Sequence, residues 1–159
     1  MSDVVQIVPL VLFAPVLALT IAGDLRWMRI SNRLVIAGLA LFGVAGWMLP
    51  ADEIGARLIA AAVAFAICFV MFHFRALGGG DAKMMPVVLL FVPSEFLSHY
   101  LLVFAAAMTA GMIGMALSRR AFQSPEAAWI SMRPGAGFPM GIAIGSSGLI
   151  FLFAWLILL

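Results

Sequence analysis

Long apolar runs separated by short polar punctuation dominate the chain. Runs able to cross a ~30 Å hydrocarbon core at ~1.5 Å per residue lie at about 4–23, 34–50, 54–74, 97–117 and 138–158. A shorter run, about 82–92, follows Gly78-Gly79-Gly80-Asp81 and as a helix would cover only about half that thickness. Counting it as a crossing gives six transmembrane helices with both termini on one side. The pattern therefore predicts an all-α polytopic membrane protein. An irregular glycine turn at membrane depth is tolerated only where it is buried in protein or lines a wet cavity, so the GGGD turn is expected in such a place. The polar stretch 118–137, with Pro125 and Pro134, is the one long connection. A short interfacial helix is expected there over Pro125–Met132, with Trp129 at headgroup level.

Composition agrees with the pattern. Of 159 residues, 65% are hydrophobic and only 10% charged, and the mean hydropathy is +1.19. That is too little polar surface for an ordinary soluble domain. The first apolar run has no basic flank, Met1–Gln6 carrying Asp3 and neither Lys nor Arg, so it reads as a retained span rather than a cleaved signal. No linker, low-complexity tract or repeat divides the chain, and residues 1–159 are expected to form one membrane domain.

Charge gives the orientation. With the N-terminus outside, Arg26, Arg29, Arg33, Arg75, Lys83, Arg119, Arg120 and Arg133 all fall inside and Arg57 alone falls outside. This is the bias expected of inner loops. Five crossings would break it. The net charge of +2 is thus topological, and no basic and aromatic strip exists to track nucleic-acid phosphates. Both termini are placed on the outer side. Four of the seven acids, Asp3, Asp52, Glu53 and Glu95, fall outside; only Asp24, Asp81 and Glu126 fall inside.

Two of those inner acids carry the candidate chemistry. Asp24 directly follows the first run and Asp81 directly precedes the short one, so both reach the inner face and can meet if their helices pack together. Alone, each reads equally as a solvated residue or a helix cap. Together, two neighbouring carboxylates hold one proton between them, which is the state an acid/base peptidase requires. Gly78, Gly79 and Gly80 would let an extended substrate backbone approach the acid. Lys83 could bias the pair or meet a substrate carboxylate, and equally reads as a snorkelling topogenic lysine. The single Cys68 excludes a disulfide framework or a four-cysteine zinc site, and His73 and His99 lie toward opposite faces, so neither metal nor cofactor is expected. Gly141 and Gly145 form a GxxxG pattern that favours close helix packing.

Asp24 with Arg26, Arg29, Ile30 and Asn32, then Gly78-Gly79-Gly80-Asp81-Ala82-Lys83, then Gly137-Phe138-Pro139-Met140-Gly141 through Gly145, together resemble the bacterial type IV prepilin peptidases. The short forms that serve Flp/Tad pili are the most similar. The resemblance implies a GxGD aspartic endopeptidase of the bacterial inner membrane, with termini on the periplasmic side and Asp24 and Asp81 catalytic at the cytoplasmic face. Its substrates would be prepilins or pseudopilins, whose short basic leader is removed just before an apolar helix. Ser31 stands where the family commonly has proline. The cysteine-rich cytoplasmic segment of the bifunctional relatives is missing, so peptidase activity without N-methylation is expected. Presenilin-type proteases share the GxGD acid but pair it with Tyr-Asp and Pro-Ala-Leu motifs that this chain lacks. A small proton-coupled transporter relaying protons through Asp24 and Asp81, or a non-catalytic subunit of a secretion machine, are the competing readings.

Overall fold

The computed structural model describes residues 2–158, with side chains from 5 to 157. Met1, Leu159 and the Asp3 side chain that was placed on the outer side lie outside the described residues. The described residues form six α-helices: α1 (Ser2–Trp27), α2 (Asn32–Ala45), α3 (Ala51–His73), α4 (Gly79–Leu89), α5 (Leu97–Phe122) and α6 (Met140–Leu158). Single 3-10 turns follow α2, precede α5 and precede α6. No strand occurs among the described residues. The all-α expectation holds, and each apolar run coincides with a helix. Four helical stretches are long and apolar enough to cross a membrane, Val5–Trp27, Ala51–His73, Ser94–Phe122 and Met140–Ile157. The second run is interrupted at its end, where α2 tightens into a 3-10 turn at Gly46–Met48 before Pro50.

α4 is short because protein surrounds it. It packs against α2, α3 and α6, and Val87 through Val92 are all buried. Beyond Leu89 the chain continues in tightened turns, Leu90, Phe91 and Val92 each donating to the carbonyl three residues back. Phe91 stacks face to face on Phe13 of α1, ring centroids 4.0 Å apart. Gly38 lets α2 close on this centre: a Cβ there would lie 2.6 Å from Val87 and 2.8 Å from Phe13. On the other side α6 lies along α1, with Gly145 and Gly148 seated on Ile21 and Leu17, the close packing that the glycine spacing predicted. α5 completes the layer on α6, joined by a buried hydrogen bond of 3.0 Å between Tyr100 Oη and Ser147 Oγ.

Arg57, counted at the sequence level as the lone outer cation, is fully buried. Its Nε donates to Glu53 Oε1 at 2.7 Å, while its terminal nitrogens reach the carbonyls of Leu90 and Gln6 at 3.4 Å. Glu53 in turn accepts from Ser94 N at 2.8 Å and Ser94 Oγ at 2.7 Å. One ion pair thus ties the ends of α1, α3 and α4 together and satisfies carbonyls that the end of α4 leaves open. Removing Arg57 leaves Glu53, 12% exposed, held by Ser94 alone and takes the donor from the Leu90 and Gln6 carbonyls. Arg57→Met is expected to destabilise the fold by about 1–3 kcal/mol, read as a lowered unfolding midpoint in detergent, and an unchanged midpoint would contradict the role.

The expected interfacial helix at Pro125–Met132 is not formed; only a 3-10 turn at Ile130–Met132 is present. The reason lies in where the loop's carbonyls find donors. Arg119 Nε donates to Ser131 O at 2.8 Å, Arg119 Nη2 to Gly137 O at 2.7 Å, and Arg133 Nε to Ala127 O at 3.0 Å. Guanidinium groups here replace helical bonding, and they press the loop against α1.

Candidate active site

The antiparallel pairing of α3 and α4 sets the depth of Asp81. Ser94 is level with Glu53, Leu90 with Arg57, and Gly79 with Phe72. Cys68 clusters with Leu77 and Ala82, so Asp81 stands at the level of Cys68. That is five residues before the end of α3, about 7–8 Å along its axis. The turn that heads α4 therefore runs alongside the last turn of its neighbour, with Gly78 exposed and Gly79 and Gly80 partly buried.

Each glycine before Asp81 is explained by an atom that occupies the place of its side chain. A Cβ on Gly78 would lie 2.5 Å from Asp81 Oδ2, because the carboxylate folds back over the start of its own helix. Gly78 is the N-cap residue, and its N–H lies close enough to act on the Asp81 carboxylate. Asp81 stands at the third helical position after Gly78, where a carboxylate can act on the N-cap N–H. Gly80 backs onto Ile30, a Cβ falling 2.9 Å from its Cβ and 3.1 Å from its carbonyl oxygen, which locks the head of α4 to the α1–α2 loop. Gly79 faces the Phe72 ring. The room expected for a substrate backbone is taken on these sides by the protein itself.

Asp24 lies in the last turn of α1 and is buried, 4% exposed. Its Oδ2 accepts a hydrogen bond of 2.6 Å from the backbone N–H of Gly141, in the first turn of α6. That N–H is one of the donors a helix leaves unpaired at its start, and the helix end favours an anion. The contact requires glycine, since a Cβ at Gly141 would lie 2.6 Å from Asp24 Cβ and 2.9 Å from Oδ2. Gly141 was read from the sequence only as a packing residue. Its GxxxG spacing was the signal available, and it pointed to α6 lying close on α1 without showing which group its N–H would meet.

Asp24 meets Gly141 at the head of α6, and Met140, the residue before it, packs on the Cys68, Leu77 and Ala82 cluster next to Asp81, so both acids lie at the same end of the bundle. Asp81 stands outside the four helices long enough to cross. Burial, and secondarily the Asp24 charge, push its carboxyl up to about 6, against the opposing N–H groups of Gly78 and Asp81 itself. Asp81 Oδ1 is buried with no hydrogen-bond partner among the described residues. Lys83 points away from the pair. Its Nζ donates to Asn32 Oδ1 at 3.2 Å, joining the heads of α4 and α2 at an exposed position. Among the described residues, no group of three or more His, Cys, Asp or Glu lies together as a metal site.

A family model, the type IV leader peptidase family, matches residues 11–115, a stretch that contains both Asp24 and Asp81. No curated protein and no solved structure matches the chain. With well over half of its length matched, the chain belongs to the type IV leader peptidase family.

Proposed function

We propose that this leader peptidase is an aspartic endopeptidase that removes the leader of Flp-type prepilins or pseudopilins at the cytoplasmic face of the bacterial inner membrane. In this reading the chain crosses the bilayer six times, with both termini periplasmic, and acts as a peptidase without methyltransferase activity. What supports it is that Asp24, bound to Gly141 at the head of α6, and Asp81, next to the cluster on which Met140 packs, lie at the same end of the bundle. The ionised member of the pair takes a proton from water, whose oxygen attacks the scissile carbonyl carbon. The protonated member hydrogen-bonds the carbonyl oxygen and gives up its proton as the tetrahedral centre forms. Collapse returns a proton to the departing amine. Asp81 Oδ1 has no hydrogen-bond partner among the described residues, so its lone pairs are uncommitted when a substrate or water reaches it.

The site's depth suits a substrate whose cut lies beside an apolar helix, because the bond then arrives at the level of the acids without that helix leaving the bilayer. Purified protein in proteoliposomes, given a Flp-type prepilin, is expected to release the leader and expose a single new N-terminus. Asp24→Asn and Asp81→Asn are each expected to slow this by at least about 10²-fold. Full cleavage by either variant would sink the two-aspartate reading, and proton flux without cleavage by the wild type would favour a transporter instead.

A further inference from the structure

α3 is attached to the bundle chiefly through α4, and a groove opens on each of its flanks. One, of about 420 Å³, lies between α2, α3 and α4 and is lined by residues including Val35, Ala62, Phe65 and Lys83. The other, of about 550 Å³, lies between α3, α4 and α5, and its lining, which includes Ala60, Ala64, Ile67 and Leu101, carries no charged group.

Helical periodicity decides which groove looks onto the catalytic acid. Asp81, Met85 and Leu89 follow one another at four-residue steps and so share a face of α4. Leu89 lines the α3–α5 groove, and Met85 packs on the Cys68 cluster between that groove and Asp81. Lys83, Pro86, Val87 and Leu90 form another face and line the α2–α3 groove. On α3, the sequence Ala56, Ala60, Ala64 follows the same four-residue step and its next member is Cys68, at the level of Asp81. The first three line the α3–α5 groove. The groove thus lies on the same faces of α3 and α4 as Cys68 and Asp81, one helical turn away.

We propose that the α3–α5 groove seats the apolar helix of the substrate and delivers the bond at its cytoplasmic end to Asp81; this rests on the peptidase reading above. Small side chains on the α3 wall let a second helix approach closely, which is the main source of helix association in a bilayer. The rival groove carries the Lys83 ammonium at its inner end, where the basic leader of the substrate would lie, and like charges brought together there oppose docking.

The test uses the full chain in proteoliposomes with a Flp-type prepilin. A benzoylphenylalanine replacing Val63, on the α3–α5 side, is expected to crosslink the prepilin in an Asp81→Asn background, and one replacing Ala62, on the α2–α3 side, is not. Ala60→Leu and Ala64→Leu are each expected to raise KM for the membrane-inserted prepilin by at least about tenfold. Neither should alter cleavage of a soluble peptide that spans the cut but lacks the helix. Ala62→Leu, of equal bulk in the other groove, should change neither measurement. Prepilin labelling from Ala62 alone, labelling of lipid alone from Val63, or an unchanged KM in both groove-filling variants would overturn the docking site while leaving the peptidase intact. Wild-type protein that cleaves no prepilin would overturn the peptidase reading itself, and the docking site with it.

Discussion

Asp81→Asn is expected to lower kcat for leader removal by about 10²–10⁴-fold, the span that a positioned acid/base group supplies, and Asp24→Asn by a similar factor. Asparagine keeps the size and the hydrogen-bonding reach of the carboxyl, so both variants should fold. Gly78 and Gly141 keep their contacts to position 81 and position 24, and the apolar core does not sense the change. The pH dependence gives the sign of the mechanism. With its carboxyl pushed up to about 6, Asp81 holds its proton below that value and loses it above. A pair that works with one proton must then lose activity as pH rises through that range. Removing the Asp24 charge takes away one of the two influences that raise Asp81, so in Asp24→Asn the Asp81 titration should move to lower pH. Burial, the larger cause, should still hold it above the ordinary carboxylate value. Carboxyl chemical shifts followed against pH in aspartate-labelled protein would show this. An Asp81 titration indifferent to Asp24 would mean that the two groups do not act as a pair.

Much of this arrangement is legible in the chain because the membrane reduces folding to a few coarse rules. Uninterrupted apolar runs become helices, since no other backbone satisfies itself in lipid, and α1, α3, α5 and α6 follow directly from that. Charge placement then leads to the expectation of two acids on one face. What stayed hidden depends on register between helices far apart in sequence. Arg57 looked like an exception to a charge rule, because the carbonyls that receive it belong to Leu90 and Gln6, 33 and 51 residues away. Glu53, four residues before it, was the one local hint of an ion pair. The Asn32–Lys83 bond, between residues 51 apart, was hidden for the same reason. The glycines before Asp81 are expected from the sequence to let an extended substrate backbone approach the acid. The structure gives a different reason for them, the Asp81 carboxylate and the Ile30 main chain standing where their side chains would be.

Gly141 is where register and chemistry meet, and Gly141→Ala is expected to cost about 10²-fold or more in kcat while leaving the protein folded, because small misplacements of a catalytic group are costly. The added methyl meets the Asp24 side chain itself, at 2.6 Å from Cβ and 2.9 Å from Oδ2. Relief requires the carboxylate to turn away from the α6 N–H. Gly145→Ala supplies the contrast one turn along the same helix. There the methyl meets the Leu17 carbonyl oxygen at 2.8 Å, together with the Ile21 side chain. Backbone cannot rotate aside, so α6 must lift from α1 and the loss should appear mainly in stability. Measured side by side, the first variant should keep its unfolding midpoint and lose turnover, and the second should lose midpoint first. If Gly141→Ala instead unfolds as Gly145→Ala does, with turnover per folded molecule unchanged, then α6 serves α1 by packing alone and the hydrogen bond to Asp24 does not position the acid.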